Sequence, residues 1–89
     1  MNVLRCSWDL EIVALGDLGA CRFDDLQRQL GISRKVLSER LKWLVEVEIL
    51  ERRKYHDSPA RYEYQLTVKG RELLPIHAAV LQWRERWER

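Results

Sequence analysis

The strongest constraint on this chain is a change of hydrophobic period near its middle. Leu37, Leu41 and Leu44 recur at i, i+4 and i+7, the spacing that gathers side chains on one face of an α-helix. Ser33 stands where it caps that helix, predicted over about 34–47. Further on, Tyr62, Tyr64 and Leu66 alternate with Glu63 and Gln65, the period-two pattern of a strand with one covered face. A partner run, Leu50 to Tyr55, precedes it. Between the two lies His56-Asp57-Ser58-Pro59-Ala60-Arg61, with turn chemistry at Asp57-Ser58-Pro59. A helix followed by a hairpin is the local prediction.

Upstream, Trp8, Ile12 and Leu15 fall at helical spacing and predict a helix over about 8–17, closed by Gly16 and Gly19. Asp24 followed by Gln27 resembles a capping box opening a short helix, Asp25 to Leu30, which Gly31 ends. The joint Gly31-Ile32-Ser33 then makes a helix-turn-helix, with an ordinary corner between two bundle helices as the alternative. Helix, helix, helix, hairpin is the order of a winged helix, mainly α with a small β-hairpin. The wing is expected over about 50–67. Thr67 caps a long C-terminal helix over about 68–89, which Gly70 weakens and Pro75 kinks or breaks. Its stripe of Ile76, Val80, Trp83 and Trp87 runs along ~22 residues, or ~33 Å. That is more than a small domain covers, so a second chain is expected against it, unless the tryptophans fold back onto Trp8.

At 89 residues the chain is expected to form one domain, since two cores would each be too small to fold unaided. The longest apolar runs, Ile12 to Leu15 and Ala78 to Leu81, are far short of the ~20 residues of a membrane span. Arg5, Asp9, Glu11 and Asp17 interrupt any signal-peptide core, so a cytoplasmic location is expected. Cys6 and Cys21, with His56 and His77, do not make a metal-ligand pattern, and no cofactor is expected. No nucleophile motif, phosphate-binding glycine loop or carboxylate pair with a histidine suggests an enzyme. The net charge of +2 is unevenly spread, with residues 28–61 carrying Arg28, Arg34, Lys35, Arg40, Lys42, Arg52, Arg53, Lys54 and Arg61. A phosphate backbone is the natural partner for such a field, although a solvated face balanced by Glu39, Glu46, Glu48 and Glu51 accounts for charge alone equally well.

From Arg22 to Trp83 the sequence resembles the HxlR family of bacterial winged-helix transcriptional regulators. The resemblance is carried by Arg22-Phe23-Asp24-Asp25-Leu26, by Gly31-Ile32-Ser33-Arg34-Lys35-Val36-Leu37-Ser38 and by Arg40-Leu41-Lys42. It continues through Leu50-Glu51-Arg52-Arg53, Tyr55, Pro59, Arg61, Tyr64-Gln65-Leu66-Thr67, Gly70 and Leu81-Gln82-Trp83, with Trp8 at a family tryptophan position. It implies a homodimer, built by terminal helices, that binds double-stranded DNA at a near-palindromic operator. Three departures stand out. The family's first helix, whose Cys-Pro senses redox in some members, is expected to be largely missing, and Cys6 does not correspond to that cysteine. Val47-Glu48 replaces the usual Asp-Gly, so the helix either strains a left-handed cap or runs on into the strand. Ala60 replaces the second proline of the wing, which should loosen it slightly.

Ser33, Arg34, Lys35 and Ser38 open the recognition helix and are the expected groove residues, with Arg34 or Lys35 placed to read guanine. Lys42 and Arg28 are expected on phosphates. Arg53, Lys54 and Arg61 would follow the backbone or minor groove beside the wing, and His56 either joins them or is simply solvated, the commoner state of a loop histidine. Arg40 is expected to pair with Glu39 or Glu46, and His77 to be a packed histidine. Trp43 and Trp8 suit a core or an interface. The expected dimer interface is Trp8, Ile76, Val80, Trp83 and Trp87. A winged helix used for protein–protein contact remains the alternative, against which residues 34–42 set four basic side chains and one acidic. The effector, if any, is not legible.

Overall fold

A computed structural model of the chain describes residues 7–19 and 22–88; Cys6 and Cys21 lie outside the described residues. The element order is α1 (Ser7–Asp17), α2 (Phe23–Leu30), α3 (Arg34–Glu46), β1 (Leu50–Asp57), β2 (Ala60–Leu66), α4 (Val68–Arg71) and α5 (Leu74–Trp87). The strands form a two-stranded antiparallel sheet pairing Leu50 with Leu66 and Asp57 with Ala60. Arg22 adds an isolated antiparallel bridge to Glu63, which fastens the start of α2 to the hairpin.

The leucine stripe behaves as its spacing demands. Leu37, Leu41 and Leu44 are buried and join Ile12 and Val13 of α1, Leu26 of α2, Ile49, Leu50 and Leu73 in one core. Each fully buried side chain of this size contributes roughly 1.5–3 kcal/mol. Beneath α3 the core also takes a charge. Asp9, fully buried in the first turn of α1, lies 3.8 Å from the Arg40 guanidinium. This corrects the expected partner of Arg40, because Glu39 and Glu46 share its helix whereas Asp9 approaches from α1. Such a pair adds little net stability against its desolvation, but its loss on one side leaves a buried charge.

Three boundaries differ from expectation. Helix α2 begins at Phe23, with Arg22 at its N-cap and no side-chain cap, so Asp24 lies in the first turn rather than at the cap. The C-terminal stretch is two helices, not one: α4 stops at Arg71, and Pro75 sits in the first turn of α5, where its missing N–H costs nothing. The fourteen residues of α5 span ~21 Å rather than the length of a continuous helix. The hairpin is longer than predicted, with Ser58-Pro59 alone between the paired ends. A register shift between Lys54 and His56 leaves Tyr55 as the extra residue of a bulge. Trp8 and Trp43 are half-buried; only Trp43 packs on the core.

The end of α3 settles what replaces the glycine. The helix does not run on. Glu48 takes a left-handed φ of 64°, Glu48 N–H donates to Val45 O, and Ile49 N–H donates to Leu44 O at 2.9 Å. That is a Schellman motif, closed by the apolar contact between Leu44 and Ile49. Thr67 and Lys69 reach back to the same turn: the Thr67 hydroxyl lies on the carbonyls of Glu48 and Ile49, and Lys69 Nζ donates to Val47 O at 2.7 Å. Gly70 is pressed against it, since a Cβ there would lie 2.2 Å from Ile49 O.

Positions 48 and 70 should therefore respond oppositely to a change of glycine. Glu48→Gly is expected to raise stability by about 0.5–1 kcal/mol, the left-handed strain relieved less the entropy of a freer unfolded chain. Gly70→Ala is expected to lose about 2–3 kcal/mol through overpacking. Urea titrations of both variants check this, and shifts of the same sign would contradict it.

Candidate nucleic-acid interface

The exposed face of α3 is set by the turn before it. Gly31 takes a left-handed φ of 68° and its N–H donates to Gln27 O. Gln27 Nε2 donates to Ile32 O at 3.3 Å, bracing the joint. Ser33 then accepts the Val36 N–H at 3.2 Å, the expected cap. With Leu37, Leu41 and Leu44 turned into the core, Lys35, Ser38, Glu39 and Lys42 are exposed along the opposite face. Lys35 and Lys42 carry no ion pair among the described residues.

Arg34 is placed differently from its neighbour. Its Nη1 lies 3.1 Å from Asp24 Oδ1 and 3.3 Å from Gln27 Oε1, and its guanidinium sits 4.6 Å from the centroid of Phe23. The side chain is folded back onto α2. Both ends of the ion pair are largely exposed, so the tie biases the arginine without locking it. Arg28 is likewise paired, with Asp25 on its own helix.

The wing supplies the second set of cations. Arg53 pairs with Glu51 at 3.3 Å and Lys54 with Asp57 at 3.9 Å, whereas exposed Arg61 has no ion pair among the described residues. His56 Nδ1 lies 3.1 Å from Pro59 O, within the turn. Arg52 stacks over Tyr62 at 4.2 Å and Arg22 over Tyr55 at 4.1 Å. Arg22 did not stand among the expected contacts. Arg52 was legible as a wing charge; Arg22 depends on its bridge to Glu63, which has no local signature.

The two sets meet. A cleft of about 570 Å³ between the start of α2 and the wing is lined by Arg22, Arg34, Tyr55, Arg61 and Tyr62, with Asp24 and Asp25 at α2. A second cavity joins Ser38 and Lys42 of α3 to Arg52 of β1. Helix and wing thus present their cations to common grooves, an arrangement suited to a polyanion that touches both.

The remaining expected residues lie on α5, which packs on α1. Val80 and His77 are half-buried, and Ile76, Trp83 and Trp87 are exposed, the last by 65%. The buried Nδ1 of His77 has no hydrogen-bond partner among the described residues.

Comparison with known proteins agrees with this geometry. A family model described as HxlR-like helix-turn-helix matches residues 3–89. The chain is 43% identical over 76 residues to the uncharacterized HTH-type transcriptional regulator Rv3095 of Mycobacterium tuberculosis, covering 85% of this chain and 48% of that protein. It therefore spans about half the length of that relative. It is 35% identical over 88 residues to YvaP of Bacillus subtilis, another uncharacterized HTH-type transcriptional regulator, covering 98% of this chain and 82% of YvaP. Among solved structures, the reduced redox regulator HypR superposes with a TM-score of 0.86 at 30% identity, covering 96% of this chain and 85% of HypR. The reduced transcriptional regulator YodB of B. subtilis gives 0.81 at 31%, covering 96% and 84%. On these matches, and on a winged helix with the element order that the family implied, the chain belongs to the HxlR-like helix-turn-helix family.

Proposed function

We propose that this chain is a sequence-specific DNA-binding transcriptional regulator that engages double-stranded DNA as a homodimer. The observation that carries the reading is the exposed face of α3, where Lys35 and Lys42 have no ion pair among the described residues and Lys42 shares a cavity with Arg52 of the wing. Lys35, with Ser33 and Ser38, enters the major groove. Lys42, Arg28, Arg53, Lys54 and Arg61 hold phosphates, and Arg34 joins the groove residues once it leaves Asp24. No residue is assigned a catalytic role, and the place of action is the cytoplasm, where the DNA is. Selection of bound sequences from a random duplex pool would supply the operator.

Lys35→Ala is expected to weaken operator binding by about 1–3 kcal/mol while barely changing binding to random duplex. Replacing Arg53, Lys54 and Arg61 with alanine together should weaken both and flatten the salt dependence by ~0.9 in log–log slope per lost contact. Gel-shift titrations over a range of salt check both. A wild-type chain with no operator preference would favour a protein-contact role for the winged helix.

Asp24→Asn is expected to raise DNA affinity, because it frees Arg34 and removes a carboxylate from the anion-facing side. An exposed pair of this kind is worth up to ~1 kcal/mol, so a gain of up to about fivefold is expected by fluorescence anisotropy. An unchanged or lower affinity would show that the folded-back Arg34 is already its working position.

The homodimer is assigned to the stripe Ile76, Val80, Trp83 and Trp87, flanked by Trp8. Its exposed tryptophans are the residue type that anchors interfaces, and two half-sites about 34–36 Å apart need two recognition helices. Trp83→Glu with Trp87→Glu is expected to sediment as a monomer that keeps weak, non-specific DNA binding. A wild-type chain that sediments as a monomer at tens of micromolar (roughly the range of weak specific interfaces) would contradict the assignment.

A further inference from the structure

The cavity between α3 and the wing has a composition that a nucleic-acid backbone does not explain. It holds about 460 Å³ and is separated from the cleft beside α2 by Phe23 and Tyr64, which border both. On α3, Ser38, Lys42, Val45 and Glu46 face it, a single helix face by their spacing. On the hairpin, Arg52 and Tyr64 stand opposite each other in register. Val45, Phe23 and Tyr64 are half-buried and pack against the core, so the floor is apolar and firmly backed. The charged rim is Lys42, Arg52 and Glu46, and among the described residues none of the three is ion-paired.

Two cations and one carboxylate over an apolar floor leave a net positive mouth. A phosphate would satisfy the cations and leave the floor empty, whereas a flat apolar body alone would leave the cations unused. A ligand with both parts uses the whole surface, and the volume is within the ~300–1,000 Å³ of small-molecule sites.

We propose that this cavity binds an aromatic carboxylate, its ring against Phe23, Val45 and Tyr64 and its carboxylate between Lys42 and Arg52. The Ser38 hydroxyl supplies a further donor at the rim. The consequence for regulation rests on the proposed DNA face: Ser38 and Lys42 belong to both, so an occupied cavity withdraws them from DNA. Ligand and DNA then exclude each other, and the apparent DNA affinity falls by the factor one plus the ratio of ligand concentration to its Kd.

The test uses the full chain and 2-naphthoate as probe, with neutral 2-naphthamide beside it. Calorimetric or NMR titration is expected to show saturable naphthoate binding and about tenfold weaker binding of the amide, the scale of a charge-assisted contact. Lys42→Gln with Arg52→Gln should weaken naphthoate by at least about tenfold, while Arg84→Gln with Arg86→Gln, on α5, should leave it unchanged. If the first pair does not fold, Arg52→Gln alone, at an exposed strand position, carries the test. In the second arm, naphthoate should lower DNA affinity by the factor above. No saturation by about 10 mM, equal binding of acid and amide, indifference to the cavity substitutions, or unchanged DNA affinity at saturating naphthoate would each overturn the proposal. A chain that binds no DNA at all would remove the DNA reading, and the titration arm alone would then decide the site.

Discussion

The rest of the structure hangs on the turn at Val47-Glu48-Ile49. It ends α3, starts β1 and receives α4, all within three residues. Its N–H groups close the helix through Val45 O and Leu44 O, while its carbonyls are held from Thr67 and Lys69. Leu44 and Ile49 bury the apolar side of the turn in the core. The wing's angle to α3 is therefore fixed by a hydrogen-bonded joint and not by a flexible link. Gly70 has to be small because α4 comes so close to Ile49 O. The strained Glu48 is tolerated because contacts on both sides over-determine its backbone.

The proposed function rests on that joint through geometry. With its buried stripe fixed, α3 can expose only one polar face, and a wing set at a fixed angle can offer its cations only beside that face. Asp9 acts from the opposite side, reaching Arg40 through the core and tying α1 to the same helix. The polar contacts on the exposed face are weaker and easier to exchange. Arg34 rests on Asp24, Arg53 on Glu51 and Lys54 on Asp57, all in water, where such pairs contribute little. A rigid frame with loosely held cations suits a partner whose phosphates can take their place.

The parts legible in the sequence were those decided within a few residues. The Ser33 cap, the leucine stripe, the hairpin alternation and the break at Pro75 each express a local rule. What stayed hidden depends on approach across the fold. Asp9 lies thirty-one positions before Arg40 in the sequence, and a first-turn aspartate reads as a helix-dipole residue until the core places it. Asp24 looked like a cap because its spacing to Gln27 fits one. The bridge of Arg22 to Glu63 starts the helix earlier, and Asp24 is left to pair with Arg34. The left-handed Glu48 was one of two outcomes that the missing glycine allowed; contacts from Thr67 and Lys69 select between them. The order of three helices and a hairpin already read as a winged helix, and the resemblance to the family agreed with it.

Amide hydrogen exchange, followed with and without duplex DNA, most directly tests whether the α3 face and the wing act as one nucleic-acid surface. DNA is expected to slow exchange together in residues 33–42 and 52–61, with α4 and the 47–49 turn already slow in the free chain. Slowing confined to one of those two segments, or centred on α5, would contradict it.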